Sequence, residues 1–265
     1  FGSNVKWTLG NKEGRASVSC AAASPVFNES ILRVASLTIA MLAYGLPGGD
    51  PARDKMCEVY QATSAALANP DLILEGGSTY FSDPKAPDRL KTLIESTVGR
   101  IQVVDKLNIA DDGVLAVIES GMMAGFALRP QSVAAESQFE KVLNQLVTLT
   151  AINSESYVSP DIFPAVRLIE LLRLFRSSGF RELVDRIRNT PVPAGGYEAN
   201  PILSAPDVLK LVMKKHKLSE DAAAYYLQLL TLPDPTDKNV GLWNGWTAAA
   251  IKKLGKELID KGLVL

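Results

Sequence analysis

Histidine is nearly absent from this chain of 265 residues: His216 is the only one, and cysteine is limited to Cys20 and Cys57. So little imidazole and thiol excludes most metal centres and most nucleophile–base pairs before any motif is sought. Two cysteines are too few for a disulfide framework, and their spacing fits no zinc motif, so both read as reduced, apolar core residues. Charge of one sign is lacking too. Lys and Arg total 28 against 29 Asp and Glu, a formal net charge of −1, which excludes a polybasic nucleic-acid carrier and an acidic disordered chain alike. No apolar run reaches the ~20 residues that a bilayer requires. The most apolar stretch, Ile31 to Leu46, contains Arg33 and reads as a buried helix. With no signal peptide visible, the expected partners include no membrane and the expected location is cytoplasmic.

Phosphate-binding signatures are missing as well. Gly45-Leu46-Pro47-Gly48-Gly49-Asp50 is glycine-rich but lacks the Lys followed by Ser or Thr of a nucleotide loop, and reads as a helix stop and turn. No dinucleotide fingerprint occurs, so no cofactor is implied. His216, set among Lys214, Lys215 and Lys217, has no nucleophile beside it. Asp111, Asp112 and Glu119 admit a hard-cation or paired-carboxylate reading. Asp-Gly between apolar runs reads better as a hairpin turn. No metal and no catalytic residue is therefore expected, and the chain reads as non-enzymatic.

What is present is a chain long enough for one large or two modest domains. Val5 to Leu9 and Arg15 to Cys20 predict a hairpin around Asn11-Lys12-Glu13-Gly14. Asn28 opens a helix to about Tyr44, and Pro51 to Ala68 forms a second. Asp71 to Pro87 is turn-rich. Asp88 to about Val98 is helical, and a small antiparallel meander is expected from Gln102–Ile109, Val114–Ile118 and Met122–Leu128. Val133–Leu149, Pro160–Phe175 and Phe180–Arg188 are helical. The run Asn189-Thr190-Pro191-Val192-Pro193-Ala194-Gly195-Gly196 cannot continue a helix. The expected fold class is α+β, predominantly α-helical. A mostly helical body over 1–189 is followed by a linker over 190–203 and a module over 204–265.

In that last segment Ser204 is expected to cap a helix with Pro206 in its first turn, running to about Lys217. Ser219-Glu220-Asp221 starts another, and Asn239–Trp243 forms a short helical turn. Thr247 caps a longer helix in which Ile251, Leu254, Leu258 and Ile259 line one side, Gly262 stops it, and Leu263-Val264-Leu265 is β-like. Helix, short helix, turn, longer helix and incipient strand is the order of a winged helix-turn-helix, so 204–265 is expected to be a truncated winged-helix-like module lacking its wing. The last helix is expected to bury Ile251, Leu254 and Leu258 on the first helix. Its outer side then carries Thr247, Ala248, Ala249, Lys252, Lys253 and Lys256, as in a recognition helix whose lysines meet phosphates.

Against base reading, every basic residue from Ser204 onward except His216 is Lys, and the segment's net charge is only about +2. Two readings therefore stand for Lys252, Lys253 and Lys256: phosphate contacts through Thr247, Ala248 and the three lysines, or the solvated face of a core helix. Tyr225, Tyr226, Trp243 and Trp246 likewise read either as packing of this module or as a partner-binding surface.

Three stretches resemble a known family: Thr190-Pro191-Val192-Pro193 through Tyr197-Glu198-Ala199-Asn200-Pro201; Leu229-Leu230-Thr231-Leu232-Pro233-Asp234-Pro235-Thr236-Asp237; and Trp243-Asn244-Gly245-Trp246-Thr247 running to Lys261-Gly262-Leu263-Val264. Together they resemble the C-terminal part of large bacterial MolR-like proteins, a family associated with WGR domains. Tyr44-Gly45-Leu46-Pro47 and Leu67-Ala68-Asn69-Pro70-Asp71 extend the likeness more weakly. The resemblance implies a DNA-binding or transcription-regulating module within a longer chain. It also implies other domains of that chain, or a MoxR-type ATPase encoded nearby, as partners, and a basic, Arg-containing wing past Leu265. The opening on Phe1 rather than Met fits a piece of a longer polypeptide.

Overall fold

The computed structural model describes residues 7–12, 15–20, 23–24, 27–80, 85–121, 123–150 and 164–265. Val5, the turn residues Glu13 and Gly14, Met122 and the expected helix start at Pro160 lie outside them. The elements are β1 (Trp7–Lys12), β2 (Arg15–Cys20), α1 (Glu29–Gly45), α2 (Pro51–Leu67), β3 (Leu74–Tyr80), α3 (Ala86–Thr97), β4 (Gln102–Val104), β5 (Leu107–Asp111), β6 (Leu115–Ser120) and β7 (Met123–Leu128). They continue with α4 (Glu136–Thr150), α5 (Pro164–Arg176), α6 (Ser178–Asn189), α7 (Pro201–Ser204), α8 (Pro206–His216), α9 (Glu220–Thr231), α10 (Asp237–Asn244) and α11 (Ala248–Asp260). The fold is α+β, predominantly helical, with an antiparallel sheet. It divides into two compact units, Phe1–Ser36 with Tyr60–Arg181, and Leu37–Val59 with Glu182–Leu265.

The first unit is built on the sheet β3-β7-β6-β5-β4, antiparallel throughout. All of β7 and the first five residues of β6 are buried, which is why these strands read as apolar runs, broken only by Glu119, rather than as alternating. On one face Phe126, Leu115 and Leu128 meet Leu146 of α4 and Ala165, Leu168 and Ile169 of α5. On the other, Ala116 and Ala127 pack with Cys20 at the end of the β1–β2 hairpin.

The meander differs from expectation at two points. Gln102–Ile109 is a hairpin rather than one strand, because Asp105 and Lys106 adopt positive φ of 49° and 68° and reverse the chain. The turn-rich segment also contains β3. Its Gly76 lies against α5 so closely that a β-carbon would stand 2.9 Å from that of Ala165. Tertiary approach, not local propensity, makes this strand. Asp111 and Asp112 do form the turn between β5 and β6, with Asp112 Oδ1 accepting from the Val114 and Leu115 amides at 2.9 and 2.8 Å.

In the second unit, Val192, Glu198, Ala199 and Asn200, within the stretch expected to be a linker, are buried. Gly48 N donates to Gly196 O at 2.7 Å and Gly195 N to Gly48 O at 2.9 Å. A side chain on Gly48 would strike the Val192 carbonyl at 2.4 Å. Arg53 from α2 donates to Glu198 Oε1, and Arg186 Nη2 of α6 lies 2.7 Å from Glu198 Oε2. Both Arg53 and Glu198 are fully enclosed, so the carboxylate is held from two sides by cations reaching from separate elements.

Candidate nucleic-acid interface

The C-terminal helices form their own core, with Leu209 of α8, Leu218, Ala222, Ala223, Ala224 and Tyr225 of α9, Val240 of α10, and Ile251, Leu254 and Leu258 of α11. The last helix packs chiefly on α9 and α10 rather than on α8, the first helix of the module. The run Ala222–Ala224 is fully buried, and small side chains there let neighbouring helices approach closely.

Four caps differ in how well the sequence shows them. Ser219 and Thr247 accept from the amides of Ala222 and Ala250, as their positions predict. Thr236 caps α10, so the expected short turn at Asn239–Trp243 is a helix of eight residues. Ser204 is no cap: it ends α7, whose own cap is Asn200, and α8 starts from Ala205 without a side-chain acceptor. Pro206 supplies its preset φ there instead.

Helices α10 and α11 are joined by Gly245-Trp246-Thr247. Gly245 is left-handed at φ 71°, and Trp246 N donates to Gly241 O at 3.0 Å. The connection between the two helices is thus three residues long and contains a glycine. Glu257 fixes the far end of α11 by accepting from Ser219 N and Ser219 Oγ, each at 2.8 Å, and so ties it to the start of α9. Asn244 Nδ2 donates to Gln228 Oε1 at 2.9 Å, and Gln228 Nε2 donates to the Ala199 carbonyl at 2.7 Å. None of these ties is visible in a local reading of the sequence. Beyond α11, Gly262 turns left-handed at φ 68°, and Leu263–Leu265 form no strand.

The five residues expected to meet nucleic acid lie together on α11 and its cap. Thr247, Ala248, Lys252, Lys253 and Lys256 are all exposed, opposite buried Ile251, Leu254 and Leu258. None of the three lysines meets a carboxylate among the described residues. The aromatic set divides. Tyr225 is buried, its ring edge-on to Trp246 at 6.5 Å, and burial raises its phenol pKa, with Asp237 adding to the effect. It is therefore not a surface residue. Tyr226, Trp243 and Trp246 are half-buried against the same core, and Tyr226 lies edge-on to His216 at 5.6 Å.

The carboxylates weighed as a cation site face side-chain cations instead. Arg129 donates to both oxygens of Asp111 at 2.7 Å, Lys141 Nζ donates to Asp112 at 3.0 Å, and buried Glu119 accepts from Asn108 with Lys91 Nζ 3.8 Å away. Burial acts to raise the Asp112 pKa but is outweighed by the Leu115 amide, Lys141, Gln145 and the Val114 amide, so the net shift is downward. Among the described residues no group of His, Cys, Asp and Glu is placed to hold a metal ion, and no helix is long and apolar enough to cross a membrane. Of the two cysteines, Cys20 is buried and Cys57 only half-buried. Comparison with protein-family models, with curated proteins and with solved structures finds no match.

Proposed function

We propose that this chain is a non-enzymatic regulatory or DNA-associated module of a larger bacterial protein, contacting DNA through α11 as the recognition helix of a winged-helix segment. The observation that carries this reading is the two-sidedness of α11. Ile251, Leu254 and Leu258 are buried, while Lys252, Lys253 and Lys256 stand exposed and meet no carboxylate among the described residues. Unpaired lysines on a helix held by the Gly245 turn and the Glu257 tie suit the sequence-independent part of DNA binding, in which point charges replace counterions along the backbone. Exposed Thr247 and Ala248 are short enough to let the start of the helix approach a groove. The absence of Arg from this segment favours backbone contact over base reading.

The resemblance to MolR-like proteins supports the same class of role. A duplex-DNA titration across a salt series tests it. Joint replacement of the three lysines by Ala lowers the salt slope by about 0.9 for each phosphate that is no longer neutralised.

The second reading is a protein-interaction scaffold that docks other domains of the parent chain or a partner ATPase. It draws on Leu230 and Leu242, which are 63% and 57% exposed on the same helices as Tyr226 and Trp243. Charge-introducing substitutions at these leucines separate the two readings, since they leave phosphate binding by α11 intact.

A further inference from the structure

Helix α8 turns one arc to the core and leaves the other in solvent. Leu209 is buried, and Val212, Met213 and His216 are half-buried beside it. On the opposite arc Val208 is 49% exposed and Leu211 68%. An exposed leucine alone says nothing, because most protein surface is apolar. The charges around this one are what distinguish it. Lys214 and Lys215 follow Leu211 at i+3 and i+4 and so flank it on the same arc, and Lys217 is exposed at the left-handed C-cap.

Lys210 is drawn to Asp207 at 3.4 Å. Lys214, Lys215 and Lys217 meet no carboxylate among the described residues, and none of their ammonium groups donates to a terminal carbonyl of the helix. Glu220 and Asp221 open the next helix without pairing with them. Lys217 caps the helix through its backbone N–H, which donates to Met213 O, but the three ammonium groups complete no ion pair among the described residues.

We infer that this face of α8 docks an acidic amphipathic helix from a protein partner. Val208 and Leu211 receive the partner's aliphatic residues, and Lys214, Lys215 and Lys217 receive its carboxylates. An apolar centre with a charged border is the anatomy of a protein interface, and an amphipathic helix presents both parts at matching spacing. Nucleic acid fits this face less well. A phosphate backbone offers nothing to the two exposed aliphatic side chains, which an amphipathic helix covers. The inference is independent of α11, which lies on other residues.

The test uses the whole chain and a fluorescein-labelled synthetic peptide of glutamates with leucines at helical spacing. One control peptide has the same composition with the leucines dispersed, and another has lysine in place of glutamate. Anisotropy saturates with the first peptide and falls as salt rises. Leu211→Asp weakens it about tenfold while leaving the melting temperature unchanged, because the side chain is exposed. Lys214→Glu with Lys215→Glu moves the preference to the lysine peptide. Four results overturn the inference: no saturation; equal binding of the dispersed peptide; self-association by sedimentation that Leu211→Asp abolishes, which makes a second copy the occupant; or duplex-DNA binding that Leu211→Asp weakens as much as removal of the α11 lysines does.

Discussion

In the sheet-bearing unit Arg129 grips both oxygens of Asp111, Lys141 reaches Asp112 at 3.0 Å, Arg167 lies 3.3 Å from Glu29, and Arg173 pairs with Glu136 and Glu140. In the C-terminal helices Lys214, Lys215, Lys217, Lys252, Lys253 and Lys256 have no such partner among the described residues. The chain as a whole is nearly neutral, so the contrast lies in placement rather than in composition. The cations named in the first unit are drawn to carboxylates across elements, while these six stand exposed at α8 and α11. Net charge, read from the sequence, averages these two populations away.

The contrast is sharpest at Glu198, where the second unit does enclose charge. Replacing it by Ala leaves Arg53 buried without its anion and is expected to cost on the order of 3 kcal/mol, read by denaturant unfolding. A change within experimental error would mean that the 190–203 stretch is not held by this carboxylate. The Tyr44 phenol registers the same surroundings: burial raises its pKa, Arg186 opposes and Glu198 adds.

Next in size is Asp112→Ala, which removes the acceptor for two backbone amides, Lys141 and Gln145, at about 2 kcal/mol. Its folded pKa lies below the ordinary 3.8, so the carboxylate contributes stability above that value and loses it as pH falls through the folded one. Asp112→Asn therefore flattens the acid limb of a stability–pH curve. Glu75 acts in the opposite sense. Burial raises its pKa above the ordinary 4.5 against a backbone hydrogen bond at Cys20, so its contribution is present below 4.5 and lost as pH rises through the folded value. Glu75→Gln removes that loss, and an unchanged pH profile in both variants would contradict the pair.

Smaller again is Thr247→Ala, which takes the cap from α11 at about 1 kcal/mol in thermal or denaturant unfolding. Smallest for stability is the joint change of Lys252, Lys253 and Lys256 to Ala, within about 0.5 kcal/mol because these side chains are exposed. A large destabilisation there would show the lysines to be structural and dissolve the comparison.

How much of this is legible in the sequence depends on how local its cause is. Helix α11 declares itself through Thr247, the spacing of Ile251, Leu254 and Leu258, and the stop at Gly262, all within one window. Strand β3 does not. Gly76 and Gly77 weaken its signal, and its reasons are its pairing with β7 and the approach of Ala165. Glu198 looks like a polar residue in a turn-rich stretch, and Arg53, which explains its burial, stands 145 positions earlier. Tyr225 reads from the sequence either as packing or as surface, and its place in the core with Leu254 and Leu258, edge-on to the Trp246 ring, is decided by packing of distant residues. For the candidate interface, the exposure of Thr247, Ala248, Lys252, Lys253 and Lys256 opposite Ile251, Leu254 and Leu258 follows from helical spacing alone. The ties that orient the helix, Glu257 to Ser219 and Asn244 to Gln228, arise from packing.

The most direct measurement is the salt dependence of duplex-DNA affinity for the unmodified chain and the Lys252→Ala, Lys253→Ala, Lys256→Ala variant. The account predicts weaker binding across all sequences and a log–log slope shallower by roughly 0.9 per phosphate released from a lysine. Identical slopes for the two proteins would contradict it.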